Sequence, residues 1–218
     1  IGNSRMMLVG VTQRVDYVDI YDEWRDALDQ RLIEWVVKAG YIPVPIPNSL
    51  FNVNLSTNNQ IVFDSWLRVV GISGLLLSGG NDIGNIPHRD LTESYLLSWA
   101  EKNKIPTLGI CRGMQMMGVY SGAKLINVNN HVGARHQLQI VSDSKVKLPD
   151  TVNSYHNQCL QSCPNSFNIL AKSEDGSIEA IVHKDLPWEA WMWHPERDDI
   201  FSKGDLDRFK NLLENERQ

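Results

Sequence analysis

Residues 106–118 read Pro-Thr-Leu-Gly-Ile-Cys-Arg-Gly-Met-Gln-Met-Met-Gly, and the rest of the chain is arranged around them. A short apolar run over residues 107–110 ends at Cys111, and a helical pattern begins directly after it. Cys111 is therefore predicted to occupy a strand-to-helix turn. Gly109 and Gly113 would let the backbone bend sharply and present one side chain, as in a nucleophile elbow. A thiol there faces the positive end of a helix, which favours the thiolate.

The same pattern is also compatible with a buried structural cysteine, since free cysteines are often found in protein cores. A nucleophile needs a base, and a candidate lies in residues 193–196, Trp-His-Pro-Glu. His194 could take the thiol proton, and Glu196 could orient the imidazole and stabilise its charged form. Pro195 favours an extended backbone at His194, and side chains two residues apart in an extended segment point the same way.

A His-Pro-Glu by itself is more typical of a surface loop. Combined with a cysteine elbow it completes the Cys-His-carboxylate set that acyl transfer to a thiol requires. The reaction also needs backbone N–H donors for the developing oxyanion. Gly80, in a Gly-Gly after a predicted strand, and Arg112, next to Cys111, could supply them, although a Gly-Gly after a strand is usually a plain turn.

Hydrophobic periodicity predicts alternating strands and helices in the first part of the chain, which indicates a mostly parallel sheet with helices on both faces. Residues 12–19 and 48–59 are predicted as loops. The predicted strands of this part are 6–11, 41–47 at a sheet edge, 74–77, 107–110 and 124–128. The predicted helices are 21–39, 60–70, 91–103 and the one after Cys111. The later part is predicted to add mostly antiparallel strands at 137–141, 166–171, 178–183 and 189–193, then a helix at 206–213.

The composition is that of one ordinary globular domain over residues 1–218, with 42% apolar and 22% charged residues. A net charge of −5 makes a nucleic-acid or membrane surface an unsuitable partner. No apolar run reaches the ~18 residues that would span a bilayer. Three cysteines fit a reducing compartment, so a cytoplasmic protein without disulfides is expected. Because the chain does not begin with Met, residues 1–5 are expected to be an added remnant.

Five motifs occur in the order typical of one enzyme superfamily: Leu-Leu-Ser-Gly-Gly, Gly-Ile-Cys-Arg-Gly-Met-Gln, Val-Asn-Ser-Tyr-His-Asn-Gln, Asp-Gly-Ser-Ile-Glu-Ala and Trp-His-Pro-Glu. Together they resemble the class I glutamine amidotransferases, and within them the γ-glutamyl hydrolase group. The resemblance implies a flavodoxin-like three-layer α/β fold and hydrolysis of a γ-glutamyl amide without metal or organic cofactor. Cys111 then matches the nucleophile, His194 the base and Glu196 the orienting carboxylate, while Gly80 and Arg112 match the oxyanion donors.

The same resemblance implies residues that bind the glutamyl α-groups. Gln115 matches a residue that contacts them, and Ser154, Tyr155 and His156 match a segment that holds them partly through its backbone. Cys159, Cys163, His156 and His183 could suggest zinc, but their spacing is poor for it, and no metal site is expected.

Two departures favour a stand-alone hydrolase that needs no synthetase partner. Ammonia-channelling glutaminases carry Gly-Pro-Gly in the oxyanion region where this chain has Gly-Gly-Asn-Asp, and no synthetase domain is fused within the sequence. The overall likeness extends to the amidotransferase-like hydrolases of capsular phosphoramidate biosynthesis, which act on a γ-glutamyl amide of a cytidine nucleotide. The candidate contacts for such an anionic leaving group are Arg89, Arg135, Arg197 and Lys203. A non-catalytic binding module and a glutaminase subunit remain alternatives.

Overall fold

A central sheet of eight strands organises the computed structural model, which describes residues 6–50, 58–141 and 147–214. The strands in chain order are β1 (Leu8–Thr12), β2 (Arg14–Val18), β3 (Glu23–Ala27), β4 (Ile42–Ile46), β5 (Gly74–Leu77), β6 (Thr107–Ile110), β7 (Leu125–Asn127), β8 (Val132–Gln137), β9 (Gln139–Ile140), β10 (Thr151–Tyr155), β11 (Gln158–Leu160), β12 (Phe167–Lys172), β13 (Ile178–His183) and β14 (Trp188–Trp191). The helices are α1 (Gln30–Lys38), α2 (Asn58–Val70), α3 (Pro87–Asn103), α4 (Arg112–Tyr120) and α5 (Lys203–Glu214).

The order of strands across the central sheet is β4-β1-β5-β6-β14-β13-β12-β9. The first five strands are parallel, and the last three continue the sheet in antiparallel pairing. Strand β14 joins the two parts, because it pairs in parallel with β6 and in antiparallel with β13. The predicted fold class, a mostly parallel α/β sheet with added antiparallel strands, is confirmed.

Alternate side chains of the central strands enter two separate hydrophobic clusters, as the period of two in a strand requires. On one face, Val9 and Val11 pack with Trp35 of α1 and Phe209 of α5. On the other, the cluster joins strand β5 to α2, α3 and α4 and contains Leu75, Leu77, Phe63, Leu97 and Met117. The sheet is therefore the middle of three layers, and its parallel strands end where α4 begins.

The predicted loop at residues 12–19 and the predicted start of the following helix at residue 21 were wrong. A two-stranded hairpin of β2 and β3 occupies this region, and the helix begins only at Gln30. Trp24 has helical spacing to Leu28 and Leu32, but its ring packs 4.7 Å from Tyr17 across the hairpin and is 60% exposed. The Asp29 carboxylate accepts the Arg31 amide and caps the helix at its true start.

Five further strands, β7 to β11, differ from the predictions, and two of them, β10 and β11, were not predicted at all. Strand β7, predicted within the parallel sheet, lies outside it and pairs in antiparallel with β11. Strand β10 was not predicted and pairs in antiparallel with β8. The strand predicted at 137–141 is divided into β8, which begins at Val132, and the short β9. Each difference concerns a pairing between distant segments, which the local pattern does not specify.

The remaining predictions agree with the structure to within a turn, and helix α3 begins about one turn earlier than expected, at Pro87. The predicted loop 48–59 starts with a single 3-10 turn, while residues 51–57 lie outside the described part of the chain, as do residues 1–5. Among the described helices, none combines the length and the apolar character needed to cross a membrane.

Candidate active site

Cys111 lies at the turn between β6 and α4, with a positive φ of 52°. Its amide donates to the Trp191 carbonyl at 2.7 Å, which ties the turn to β14. Gly109 and Gly113 are required at this turn, because any side chain there would collide with neighbouring backbone atoms. A Cβ on Gly113 would lie 2.2 Å from the Leu77 carbonyl oxygen, and one on Gly109 would lie 2.7 Å from the Gly113 carbonyl carbon. The strained, tightly packed turn predicted from the sequence is therefore present, with Cys111 6% exposed.

His194 and Glu196 follow β14 directly. The Nδ1 atom of His194 lies 2.6 Å from Oε1 of Glu196, and both side chains are buried. Asn153 of β10 fixes the backbone of His194 on both sides, because its Oδ1 accepts the His194 amide at 2.9 Å and its Nδ2 donates to the His194 carbonyl at 2.8 Å. The sequence analysis did not single out Asn153, which lies in an unpredicted strand.

The imidazole of His194 interacts with the thiol of Cys111 as well as with Glu196. Burial by itself would lower its pKa, but the hydrogen bonds to Cys111 and Glu196, and the charges of both, raise the pKa of His194 to about 9. The fold therefore brings together the three residues that the sequence proposed as a triad, in the order thiol, imidazole, carboxylate.

Residues 78–80 form the loop after β5 that was proposed to hold an oxyanion donor. A Cβ on Gly79 would lie 2.7 Å from Cε1 of His194, so the loop and the imidazole are in direct contact. Gly80 has φ +122°, a conformation that favours glycine, and Arg112 is the first residue of α4. The structure thus places the backbones of Gly80 and Arg112 on the two segments that flank Cys111 and His194; their part in binding an oxyanion stays a prediction.

A fully buried group of charges holds this loop from behind, and we call Arg89, Glu93 and Arg112 the arginine cluster. Arg89 donates to the carbonyls of Ser78 at 3.0 Å and Gly79 at 2.9 Å, and pairs with Glu93 at 3.2 Å. Glu93 also pairs with Arg112. Burial would raise the pKa of Glu93, but the two guanidinium groups and Thr12 hold it below its usual value.

Arg89 was a candidate contact for a leaving group, yet its side chain is 0% exposed and is used inside the protein. The spacing of Arg89 and Glu93 is that of an i,i+4 pair, which in a sequence is more typical of an exposed helix face. Of the other candidates, Lys203 is highly exposed and pairs with Asp207, and Arg135 pairs with Asp198 at 2.9 Å.

Of the residues predicted to bind the glutamyl α-groups, Gln115 lies on α4, and Ser154, Tyr155 and His156 lie in a segment that is hydrogen-bonded to it through Gln158. Gln115 donates from Nε2 to the Gln158 carbonyl at 2.9 Å. Ser154 is buried and donates to the His131 carbonyl at 2.6 Å. His156 is buried among other side chains, whereas Tyr155 is 42% exposed and its ring stands edge-on to that of His194, with centroids 5.8 Å apart. Since the Ser154 and His156 side chains are engaged inside the fold, a substrate contact from them would have to use their backbone.

A cleft opens beside the imidazole of His194 rather than over the thiol of Cys111. It is lined by Arg14, Asp29, Gly80, His194, Glu196 and Arg197, among others. Arg14 is half exposed and pairs with Asp16 at 3.2 Å, and the Arg197 guanidinium stacks on Tyr155 at 4.6 Å from the ring centroid. The Asp29 carboxylate is occupied in capping α1. Two cations therefore stand at the rim of this cleft, and the sequence analysis named only Arg197.

The model of the Peptidase C26 family matches residues 7–196. The chain is 32% identical over 205 residues to the γ-glutamyl-CDP-amidate hydrolase of Campylobacter jejuni, an alignment that covers 88% of this chain and 91% of that protein. It is 34% identical over 160 residues to protein NtpR of Enterococcus hirae, covering 57% and 67% of the two chains.

Solved structures have the same fold. A protein from Thermoplasma acidophilum, provisionally named as part of a GMP synthase, matches with a TM-score of 0.73 at 22% identity, covering 99% of this chain and 98% of that one. A glutamine amidotransferase from Thermotoga maritima matches with a TM-score of 0.63 at 19% identity, covering 98% and 86%. The resemblance seen in the sequence motifs is thus confirmed, and the chain belongs to the Peptidase C26 family of glutamine amidotransferase-like hydrolases.

Proposed function

We propose that this protein hydrolyses a γ-glutamyl amide through a Cys111-His194-Glu196 triad and releases L-glutamate and an amine or amidate. The observation that carries the proposal is the position of the His194 imidazole, whose Nδ1 lies 2.6 Å from Glu196 and which also interacts with the elbow thiol of Cys111. A cysteine nucleophile needs an adjacent base, and the base needs a third group to orient it. A non-catalytic binding module would require none of these three side chains in this arrangement.

The reaction has two steps. The Cys111 thiolate attacks the γ-carbonyl, and the tetrahedral oxyanion accepts hydrogen bonds from the amides of Gly80 and Arg112. As the C–N bond breaks, the imidazolium of His194 gives its proton to the leaving nitrogen, and a γ-glutamyl thioester remains on Cys111. His194 then takes a proton from water, the hydroxide attacks the thioester, and glutamate leaves as the thiol is restored.

The cleft at His194 supports an anionic leaving group. Because His194 protonates the leaving nitrogen, the leaving group must lie on the side of the molecule where this cleft opens. Arg14 and Arg197 at its rim can pair with phosphate oxygens. Together with the named activity of the Campylobacter relative, this supports γ-glutamyl-CDP-amidate as substrate, with CDP-amidate as product in capsule phosphoramidate biosynthesis.

A second candidate is a glutaminase that supplies ammonia to a separate synthetase. It is favoured by the similarity to a glutamine-hydrolysing GMP synthase subunit from Pyrococcus abyssi, at 28% identity over 134 residues and covering 60% and 69% of the two chains. In that case free glutamine would be the substrate, and a partner would stimulate its hydrolysis.

The test is glutamate release from a panel of free glutamine, γ-glutamyl-aminobutyrate, γ-glutamyl-putrescine and γ-glutamyl-CDP-amidate. We expect the nucleotide amidate to be turned over with kcat/KM of ~10⁴ M⁻¹s⁻¹ or more. Cys111→Ala should lower that rate at least about 10³-fold, since it removes the nucleophile. Cys163→Ala is the matched control, because this half-buried thiol lies away from the triad and its loss should leave the rate unchanged.

Activity of Cys111→Ala above a few per cent of the wild type would contradict the triad. Turnover of glutamine alone, rising when a synthetase is added, would favour the second candidate.

A further inference from the structure

A second group of chemistry-bearing side chains lies behind the segment of residues 154–158, and the proposed reaction does not use it. We call His131, His136, His156 and Glu179 the histidine cluster. His131 precedes β8, His136 lies on β8, His156 follows β10, and Glu179 lies on β13. The strand pairing of β8 with β10 places Val152 opposite His136, so segments far apart in the chain converge here.

The outer nitrogens of two histidines are committed to acceptors. Nε2 of His131 lies 2.9 Å from a carboxylate oxygen of Asp175, and Nδ1 of His156 lies 3.0 Å from the Gln158 carbonyl oxygen. Both partners can only accept, so each of these nitrogens carries the proton. In the neutral rings the inner nitrogens, Nδ1 of His131 and Nε2 of His156, then present lone pairs to each other at 3.2 Å.

A buried carboxylate faces the same point. Glu179 is 0% exposed, and among the described residues neither of its oxygens has a hydrogen-bond partner. Nε2 of His136 is likewise buried and without a hydrogen-bond partner in the described structure. Burying a carboxylate away from water is costly unless a cation or hydrogen bonds compensate it. The lone pairs of the histidine nitrogens and the negative charge of Glu179 therefore meet at one point, where a bound cation would compensate the buried carboxylate.

The separations of these atoms suit a small metal ion. Nδ1 of His131 and Nε2 of His156 lie 3.7 Å and 3.6 Å from Oε1 of Glu179. The ligand atoms of His131, His136 and Glu179 all lie within 4.8 Å of one another. In a tetrahedral zinc site with Zn–N bonds of ~2.0 Å, the ligand atoms lie about 3.3 Å apart. Nδ1 of His131, Nε2 of His156 and Oε1 of Glu179 would therefore need to move inward by only a few tenths of an ångström to coordinate an ion.

We propose that the histidine cluster binds a divalent transition metal, with zinc as the best fit to three imidazoles and one carboxylate. The outer hydrogen bonds are those that metal-ligating histidines make, to a carboxylate from His131 and to a backbone carbonyl from His156. If His136 moves in as the fourth ligand, all four positions are filled by protein, as in a structural site.

The metal would stabilise the segment that flanks the active centre. The Gln158 carbonyl that receives His156 also accepts the Nε2 donor of Gln115, one turn beyond Cys111 on α4. The ion would thereby hold His156 and the Gln158 carbonyl in place without touching the reacting atoms. The sequence predicted no metal, and the zinc set it considered shares only His156 with this one.

The experiment measures zinc binding by the full chain carrying Cys111→Ser, so that the thiol of Cys111 cannot compete for the ion. After removal of metal with a chelator, Zn²⁺ is titrated in competition with a chromophoric chelator, and Co²⁺ is added separately for its visible spectrum. We expect one equivalent of Zn²⁺ with a Kd below about 1 μM, and the intense absorption of tetrahedral Co²⁺.

Two variants assign the site. Glu179→Gln should weaken zinc binding at least about 100-fold, because it removes a ligand and the counter-charge. Asp175→Asn should weaken it ~10- to 100-fold, because it disturbs the hydrogen bond that orients His131. The amide oxygen of the new Asn can still accept the bonds that Asp175 Oδ1 takes from Ser173 and from the Ser177 amide. Asp185→Asn is the matched control at another exposed turn, and its affinity should not change.

Absence of zinc binding by the Cys111→Ser protein would overturn the proposal, as would zinc binding that both variants retain. If circular dichroism shows that Glu179→Gln does not fold, the zinc affinity of Asp175→Asn tests the proposal by itself. The Asp175 side chain is half exposed, so the fold tolerates its replacement.

Discussion

Two buried charge clusters lie behind the active centre, and they are balanced in different ways. In the arginine cluster, Glu93 is paired with two guanidinium groups and accepts a further hydrogen bond from Thr12 at 2.8 Å. In the histidine cluster, Glu179 meets only imidazole nitrogens at 3.6 Å or more, and no hydrogen bond from the described residues reaches it. The charge of Glu93 is therefore compensated by neighbouring guanidinium groups, whereas the charge of Glu179 is not compensated by any hydrogen bond from the described residues.

The difference follows from the side chains that surround each carboxylate. A guanidinium is charged at every accessible pH, so the charge of Glu93 is compensated whatever the solution contains. An imidazole is a neutral lone-pair donor above its pKa, so the histidine cluster depends on a proton or a metal ion from solution. The loop of residues 78–80 is thus held by charges that are always present, whereas the charge balance beside the segment of residues 154–158 depends on the solution.

The largest effect is expected from breaking the arginine cluster. Glu93→Gln leaves the buried guanidinium group of Arg89 without its ion pair and Arg112 with Asp90 alone, and should lower the free energy of unfolding by about 3–5 kcal/mol. Chemical denaturation with urea measures it. The matched control is Glu23→Gln, which removes the exposed ion pair with Arg25 and should cost less than about 1 kcal/mol. Equal losses in the two variants would show that burial does not distinguish the pairs.

A second effect concerns the charge of His194. Its folded pKa of about 9 lies above the unfolded value of ~6.5, so its contribution to stability is fully present below pH 6.5 and is lost as pH rises through 9. The shift corresponds to about 3 kcal/mol between pH 6 and pH 10. His194→Gln should abolish this part of the decline, whereas the control His88→Gln, at a partly buried site on α3, should keep it. The NMR resonance that is lost in His194→Gln would contradict the assignment if it titrated near ~6.5 in the wild-type protein.

The turn around Cys111 could be predicted because its determinants are local. A short apolar run, a helical pattern and glycines two residues before and after Cys111 lie within one stretch of sequence, and the contacts of Gly109 and Gly113 supply the physical reason. The spacing of His194 and Glu196 is equally local. Their joint position beside Cys111 was inferred from the base that a thiol nucleophile needs and from the motif resemblance, since nothing in the periodicity brings β14 next to β6.

The features that were not predicted depend on contacts between segments that are distant in the sequence. Asn153 was missed because β10 has no distinct pattern and is fixed by its pairing with β8. Arg89 was taken for a possible leaving-group contact because only the packed structure shows that it is buried. The histidine cluster brings together positions from 131 to 179 that no spacing rule connects. The roles of the triad, the oxyanion donors and the residues that bind the glutamyl group stay predictions until rates are measured.

The smallest expected effect is that of Glu179→Gln on the free energy of unfolding, and its sign is opposite to that of Glu93→Gln. This difference in sign separates the two clusters most clearly. In metal-free protein at pH 8, above the ordinary pKa of histidine, Glu179→Gln should raise the free energy of unfolding by about 1 kcal/mol. No hydrogen bond from the described residues is lost, the buried charge disappears, and the new amide can donate to a lone pair of His131. With zinc present the same substitution should destabilise, because it removes a ligand. Urea unfolding with and without zinc measures both signs, and destabilisation in the metal-free protein would mean that one of the histidines already carries the compensating proton.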